Sequence, residues 1–266
     1  MLKILSAVAS LALLVSCASA PKPSAAVLAD LAPTGQLRAA INFGNPTLAV
    51  KDAVSGQPSG VSVDLARELG RRLGVPVELV PFNAAGKVVE ALGQQAVDIG
   101  FVAIDPTRAR DIVYSAAYIV IEGAYLVQQG SPIRSNEEVD RPGVRVAVGL
   151  GSAYDLYLTR ELKQASIVRA PTSPAVVDFF LAQKLDVAAG VRQQLEADAK
   201  RLPGMKLLDG RFMVINQAIG TPRGRDAGVA YLREFVEQMK ASGFVAEAIK
   251  RSGVGGVAVA PAALPY

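Results

Sequence analysis

Residues 98–127 read DIGFVAIDPTRARDIVYSAAYIVIEGAYLV, and the fold is decided by how this stretch is read. It opens with a short apolar run, 99–104, which carries Gly100 and has strand character. Asp105-Pro106-Thr107 follows. A residue before proline is pushed out of the α region, so Asp105 is expected to cap a short helical turn with Pro106 at its first position. Arg108 then falls in that first turn, beside free backbone N–H groups. Helix dipoles favour cations at the opposite end. At this end, guanidinium and N–H groups point together at an anion, which suits a carboxylate. The plainer reading is a surface arginine paired with Asp105 or Asp111, a common and weak kind of ion pair. The stretch closes on an aromatic-rich run through Tyr114, Tyr118 and Tyr125.

Working outward, the flanks alternate between the two hydrophobic periods. Upstream, 36–43 reads as a strand running into the turn Gly44-Asn45-Pro46. Val63, Leu65, Leu69 and Leu73 recur at helical spacing until Gly74. A strand is expected at 75–81 and a second helix at 87–94. Downstream, the pattern starts again with strands at 144–148, 167–169, 187–191 and 212–219. Helices are expected at 153–164, after Thr172-Ser173-Pro174, after 191, and in two final segments ending near Arg251. Alternating strands and helices imply mainly parallel sheets. Two such α/β units follow, the second inserted into the first, with crossings at 120–127 and 214–221. That makes two lobes on a two-strand hinge with a cleft between them.

Composition narrows the chemistry. The 266-residue chain is 51% hydrophobic and 20% charged, enough for a substantial core. Its net charge of +4 is scattered rather than clustered, which argues against a nucleic-acid partner. It has no histidine and one cysteine, Cys17. The commonest general base and metal ligand is therefore absent, and no internal disulfide can form. Neither a metal nor a cofactor is expected.

The first 16 residues carry Lys3 and an apolar run from 4 to 15, the pattern of a secretory leader and too short to span a bilayer. Leu14-Val15-Ser16-Cys17 resembles the lipobox of bacterial lipoproteins. The rival is ordinary cleavage after Ala18-Ser19-Ala20, which the following Pro21 disfavours. The expected division is a lipoprotein-type leader over 1–16 and a tether over 17–33, anchored through lipidated Cys17. One lobe is expected from 34–123 and 220–253, the other from 124–219, and a disordered tail from 254–266.

The layout resembles the extracellular solute-binding proteins of family three, the polar amino acid receptors of ABC importers. Three segments carry the resemblance: Gly60-Val61-Ser62-Val63-Asp64-Leu65-Ala66 with Leu73-Gly74; Asp98 through Arg108 to Ser115, Tyr118 and Gly123; and Gly151-Ser152 followed by Leu185-Asp186-Val187-Ala188-Ala189. It implies an α/β, two-lobed periplasmic binding protein fold of type II. It also implies that Arg108 clamps a ligand carboxylate, with help from the Ala103 backbone and from Ser152 and Ala153 at a helix N-terminus of the second lobe. Asn42, with Asn45 nearby, falls on an early position that is usually acidic. Val191, followed by Arg192, stands where the family usually places the acid that holds a ligand ammonium. An aromatic that commonly stacks on the ligand is replaced by Ala85.

Three explanations of the altered ammonium side stay open: a counter-charge from Glu122 or Asp155, a register one residue off, or a carboxylate ligand without an α-ammonium whose second acid group meets Arg192. The function implied is capture of a small carboxylate or amino-acid-like solute for an inner-membrane ABC permease, by a periplasmic, membrane-anchored monomer. A dehydratase-like enzyme on the same fold, using Glu122, is one alternative. A ligand-sensing module for a membrane receptor is the other.

Overall fold

The computed structural model describes residues 22–263. The chain enters through α1 (Ala25–Leu31), where the Ser24 hydroxyl accepts the Val27 N–H. Next come β1 (Leu37–Asn42), a small hairpin of β2 (Val50–Lys51) and β3 (Pro58–Ser59), and α2 (Val61–Leu73). Helix α2 turns Val61, Leu65, Leu69 and Leu73 inward at helical spacing and stops at Gly74, whose φ is +70°. β4 (Val77–Phe82), α3 (Ala85–Gly93), β5 (Ile99–Ala103) and the 17-residue β6 (Ile112–Gln128) complete the first pass.

The second lobe runs through β7 (Arg145–Gly149), α4 (Ala153–Glu161), β8 (Ser166–Ala170), α5 (Val176–Ala182), β9 (Val187–Val191), α6 (Arg192–Arg201) and β10 (Met205–Leu207). The chain returns along β11 (Met213–Pro222) to α7 (Asp226–Ala241), α8 (Phe244–Ser252) and β12 (Ala258–Val259).

The strand order is β4-β1-β5-β11-β6-β9-β7-β8, with β10 and β12 also on β6. Strand β1 is parallel to β4 and β5, and β7 is parallel to β8 and β9, so each lobe has a three-stranded parallel core. β6 and β11 cross between the lobes as an antiparallel pair, from Ile112–Pro222 to Gly123–Met213. Beyond that point β6 pairs with β9 in the second lobe. The two crossings expected at 120–127 and 214–221 are these strands, each longer than its apolar run suggested.

The first lobe is assembled from distant pieces of chain, and Asp98 joins them. Its carboxylate is fully buried and accepts from the Arg38 backbone N–H (3.0 Å), the Arg38 guanidinium (2.8 and 3.0 Å) and Arg225 Nη1 (3.1 Å). Its carbonyl accepts from the Thr221 hydroxyl at 2.9 Å. The start of β5, the N-terminal strand β1 and the C-terminal return therefore share one residue.

Two expectations need correction. The segment 17–33 is not wholly a tether, because it contains α1, which buries Val27 and Leu31 and receives the Gly228 N–H of α7 on Asp30 at 2.8 Å. A Cβ at Gly228 would come within 2.9 Å of Asp30 and Leu31, so glycine lets the two helices touch. The tail from 254 is not wholly disordered either. Its β12 pairs with Ile119 and Val120, and Ala260 is buried and donates to the Tyr118 carbonyl. Cys17 and the leader lie outside the described residues. Among the described residues, no helix is long and apolar enough to cross a membrane.

Removing one member of a buried ion pair strands its partners and costs about 3–5 kcal/mol. Asp98→Asn should lower the unfolding free energy by that amount, read as a shift of the urea midpoint at unchanged slope. A loss under about 1 kcal/mol would show that Asp98 is not the junction of the first lobe.

Candidate functional site

Strand β5 is buried at all five positions and delivers the chain to the cleft at Ala103. The Asp105 carboxylate accepts the Thr107 N–H at 2.8 Å, and its carbonyl accepts the Ala109 N–H at 3.0 Å, which turns the chain into a 3-10 turn, Arg108–Arg110. Asp105 thus shapes the chain here, but the turn begins later than expected: Thr107 stands at its N-cap position and Arg108, not Pro106, opens a 3-10 turn rather than an α-helical one.

Arg108 is 3% exposed. Its Nη1 donates to the Ala103 carbonyl at 3.1 Å, and its Nη2 crosses the cleft to the Gly151 carbonyl at 2.9 Å. Its Nε is buried without a partner. Among the described residues no carboxylate lies within ion-pair distance of it, so it is not the surface pair of the plainer reading. Burial pushes the guanidinium below the ordinary arginine value, against smaller opposing pulls from Tyr114 and Asp105. Burial likewise pushes the Tyr114 hydroxyl up to about 12.

The second lobe meets this group with a helix N-terminus. β7 ends at Gly149, Gly151 adopts φ +70°, and Ser152 caps α4 by accepting the Asp155 N–H at 3.0 Å. The Asp155 carboxylate accepts the Gly151 N–H at 2.9 Å and pairs with Arg169 at 3.0 Å. The N–H groups of Ala153 and Tyr154, in the first turn, have no intrahelical acceptor and remain for an anion. The Cα of Gly86 in α3 would lie 3.3 Å from a Cβ on Gly151, so the lobes meet backbone to backbone beside the site. A few residues away, Arg160 of α4 spans the cleft to Asp105 (2.9 Å) and to the Thr107 hydroxyl (3.3 Å).

Between the lobes is a cavity of about 30 Å³, room for one or two waters, so the two halves are shut on each other. Arg108, Ala103, Ser152, Ala153, Asn42 and Asn45 all line it, as do Ala85 and Val191. Asn42 Oδ1 accepts the Gly44 N–H at 2.9 Å and fixes the turn after β1. Asn45 Oδ1 is buried and has no partner.

Glu122 and Arg192 are not in this wall and are corrected here. They pair with each other at 2.9 Å beside the crossing strands, and Arg211 joins Glu122 at 2.6 Å. Arg211, then Arg192, holds the Glu122 carboxyl below the usual carboxylate range. Arg192 also donates to the Gly210 carbonyl, which draws it away from the cleft.

The sequence reading missed Gln194, Gln217, Ser173 and Tyr154, which also line the cavity. β11 carries two adjacent amides in its apolar run; Asn216 faces out, while Gln217 is 4% exposed. A buried glutamine inside such a run was the available signal. Gln194 is turned by a bond from its Nε2 to the Ser173 carbonyl at 2.9 Å. The wall therefore carries one guanidinium, helix N–H groups, neutral amides and hydroxyls, and its named residues include no Asp, Glu, Lys or Cys. Its other titratable group, the Tyr154 phenol, is pushed up by burial and so stays protonated near neutral pH. The wall can hold an anion. It offers no group poised to exchange a proton near neutral pH.

Bacterial extracellular solute-binding proteins, family 3, match residues 37–253. The chain belongs to this family. The L-cystine-binding protein TcyJ of Escherichia coli K12 is 27% identical over 114 residues, 42% of this chain and 42% of TcyJ, so the match spans less than half the length of that curated relative. A binding component of an ABC transporter from Wolinella succinogenes DSM 1740, solved with lysine, superposes with a TM-score of 0.71 at 24% identity, covering 82% of this chain and 95% of that one. The solute receptor for L-cysteine of Neisseria gonorrhoeae gives 0.75 at 20%, covering 86% and 95%. These likenesses make the fold that of type II periplasmic binding proteins, in an extracellular solute-binding family.

The contacts of Arg160 exist only while the lobes are shut. A half-exposed pair of this kind contributes about 1 kcal/mol or less. Arg160→Ala should weaken ligand binding about three- to fivefold and enlarge the ligand-free particle in small-angle X-ray scattering. Unchanged affinity and size would exclude a role in closure.

Proposed function

We propose that this chain is the solute-capturing component of an ABC importer and binds a small carboxylate or amino-acid-like solute between its lobes. The observation that carries the reading is the buried Arg108 guanidinium, whose Nε lacks a partner beside the N-terminus of α4. A ligand carboxylate would take Nε and the Ala153 and Tyr154 N–H groups together, one set from each lobe. Such contacts are made only when the lobes close, so ligand shifts the population toward the shut form. That form is what a permease in the inner membrane would receive, from a periplasmic monomer anchored through Cys17. A guanidinium contact joined by helix N–H groups in a dry cleft is compatible with micromolar affinity, about −8 kcal/mol.

Arg108 also separates function from stability. A buried charge without an ionic partner opposes folding, and an apolar residue of similar volume is often neutral or stabilising. Arg108→Met should weaken binding ~100-fold or more in calorimetry, on ligands found in a thermal-shift screen of small carboxylates and amino acids. Its melting temperature without ligand should equal or exceed that of the unsubstituted protein. Normal binding by this variant would remove Arg108 from the site, and a collapse of ligand-free stability would make the arginine structural.

A further inference from the structure

The carboxylates around the cleft are already matched. Asp105 is held by Arg160, Asp155 by Arg169, Glu122 by Arg192 and Arg211, and Asp98 by Arg38 and Arg225. The cavity wall adds no carboxylate, and Arg108 is its one charged residue. The shut cavity thus carries one buried positive charge. A zwitterion entering it adds no net charge and leaves that excess in place, and its ammonium would meet only neutral oxygens. A monocarboxylate without an amine brings the cavity to neutrality. A dicarboxylate carries it past neutrality.

A second unmatched atom belongs to a wall residue and is an acceptor, Asn45 Oδ1, which calls for one donor on the ligand, and the charge balance makes that donor an uncharged one. The rest of the wall is uncharged: amides and hydroxyls from Asn42, Ser173, Gln194 and Gln217 alternate with small or apolar residues, Ala85 and Val191 among them. We infer that the ligand is a monocarboxylate lacking an α-ammonium, of the 2-hydroxy acid class. Its carboxylate sits on Arg108 and the N-terminus of α4, and its hydroxyl donates to Asn45. This inference rests on the carboxylate site proposed above. It reassigns the selectivity of that site from amino acids to their hydroxy counterparts, and it removes Arg192 as a reader of a second acid group.

The test is calorimetry on the purified full-length protein with matched triplets, in which one side chain is carried on an L-2-amino acid, an L-2-hydroxy acid and a 2-oxo acid. Methyl, branched aliphatic and benzyl side chains give alanine, valine and phenylalanine with their counterparts. The hydroxy acid of at least one triplet should bind tenfold or more tightly than its amino acid. It should also bind about tenfold more tightly than the oxo acid, which cannot donate to Asn45 and leaves a buried polar atom unpaired. Asn45→Asp supplies the missing negative charge and should narrow or reverse the gap between amino and hydroxy acids. Amino acids binding as well as or better than their hydroxy counterparts would overturn the inference while leaving the carboxylate site standing. A gap unaffected by Asn45→Asp would overturn the role of Asn45. No binding by any triplet, or equal binding by Arg108→Met, would overturn the carboxylate site and this inference with it.

Discussion

The first lobe hangs on a buried carboxylate with two arginines around it. Asp98 sits where β5 begins, and its partners come from β1 and from the start of the C-terminal return. Side-chain exposure is 0% for Asp98, 20% for Arg38 and 10% for Arg225, so the acid is far more buried than the bases. Such a cluster is weak evidence of net stabilisation, because taking the charges out of water offsets much of their attraction. Its value lies in register. β5 can pair with β1 on one side and β11 on the other only if these three segments meet at the same height, and Asp98 is bonded to all three. That height also sets where β5 ends, which places Ala103 and the Arg108 turn at the mouth of the cleft.

Arg108 follows the opposite rule. Other buried or half-buried arginines near the cleft have found acids, while this one is held by two carbonyls, one from each lobe. Two carbonyl dipoles orient a guanidinium without neutralising it. The group is therefore rigid and still in electrostatic deficit, which is what a preorganised anion site requires. The geometry also explains why closure and binding belong together. One of the two carbonyls, and the helix N-terminus beside it, arrive only with the second lobe.

Much of this was legible in the sequence. The strand at 187–191 stands out because an apolar run lies between the charged residues Asp186 and Arg192. The turn at Asp105-Pro106-Thr107 follows from the restriction that proline imposes on its neighbour, and it brings Arg108 to the cavity wall. What failed to show was tertiary. Residues 21–32 read as a tether because the segment is Ala- and Pro-rich, and what docks α1 within it includes a close approach at a glycine about 200 residues away. Strand β12 is two residues long and has no pattern of its own, since the edge of β6 creates it. Spacing does not say which way Glu122 leaves the crossing strand β6 or Arg192 leaves the start of α6, so it could not show that both point away from the wall. Arg211, from a loop 89 positions further on, fixes the Glu122 carboxylate beside the crossing strands.

Charge balance ties these features into a single selection rule. A ligand shifts the lobes only by as much as it prefers the shut form, and moving from mostly open to mostly shut takes a ratio of about 10⁴ in affinity between the two. In the open form water screens Arg108 and the ligand alike, so an amino acid and its hydroxy counterpart pay similar costs. Shutting the cleft removes that screening, and any net charge left inside is then felt at low dielectric. Discrimination is thus concentrated in the closing step rather than in the first encounter. Val191 and Ala85, apolar and small, keep the shut cavity from supplying a compensating charge of its own. On this proposal the residues that shape the wall and the single unpaired guanidinium act as one device, which favours the shut form most over a ligand that brings the cavity to neutrality.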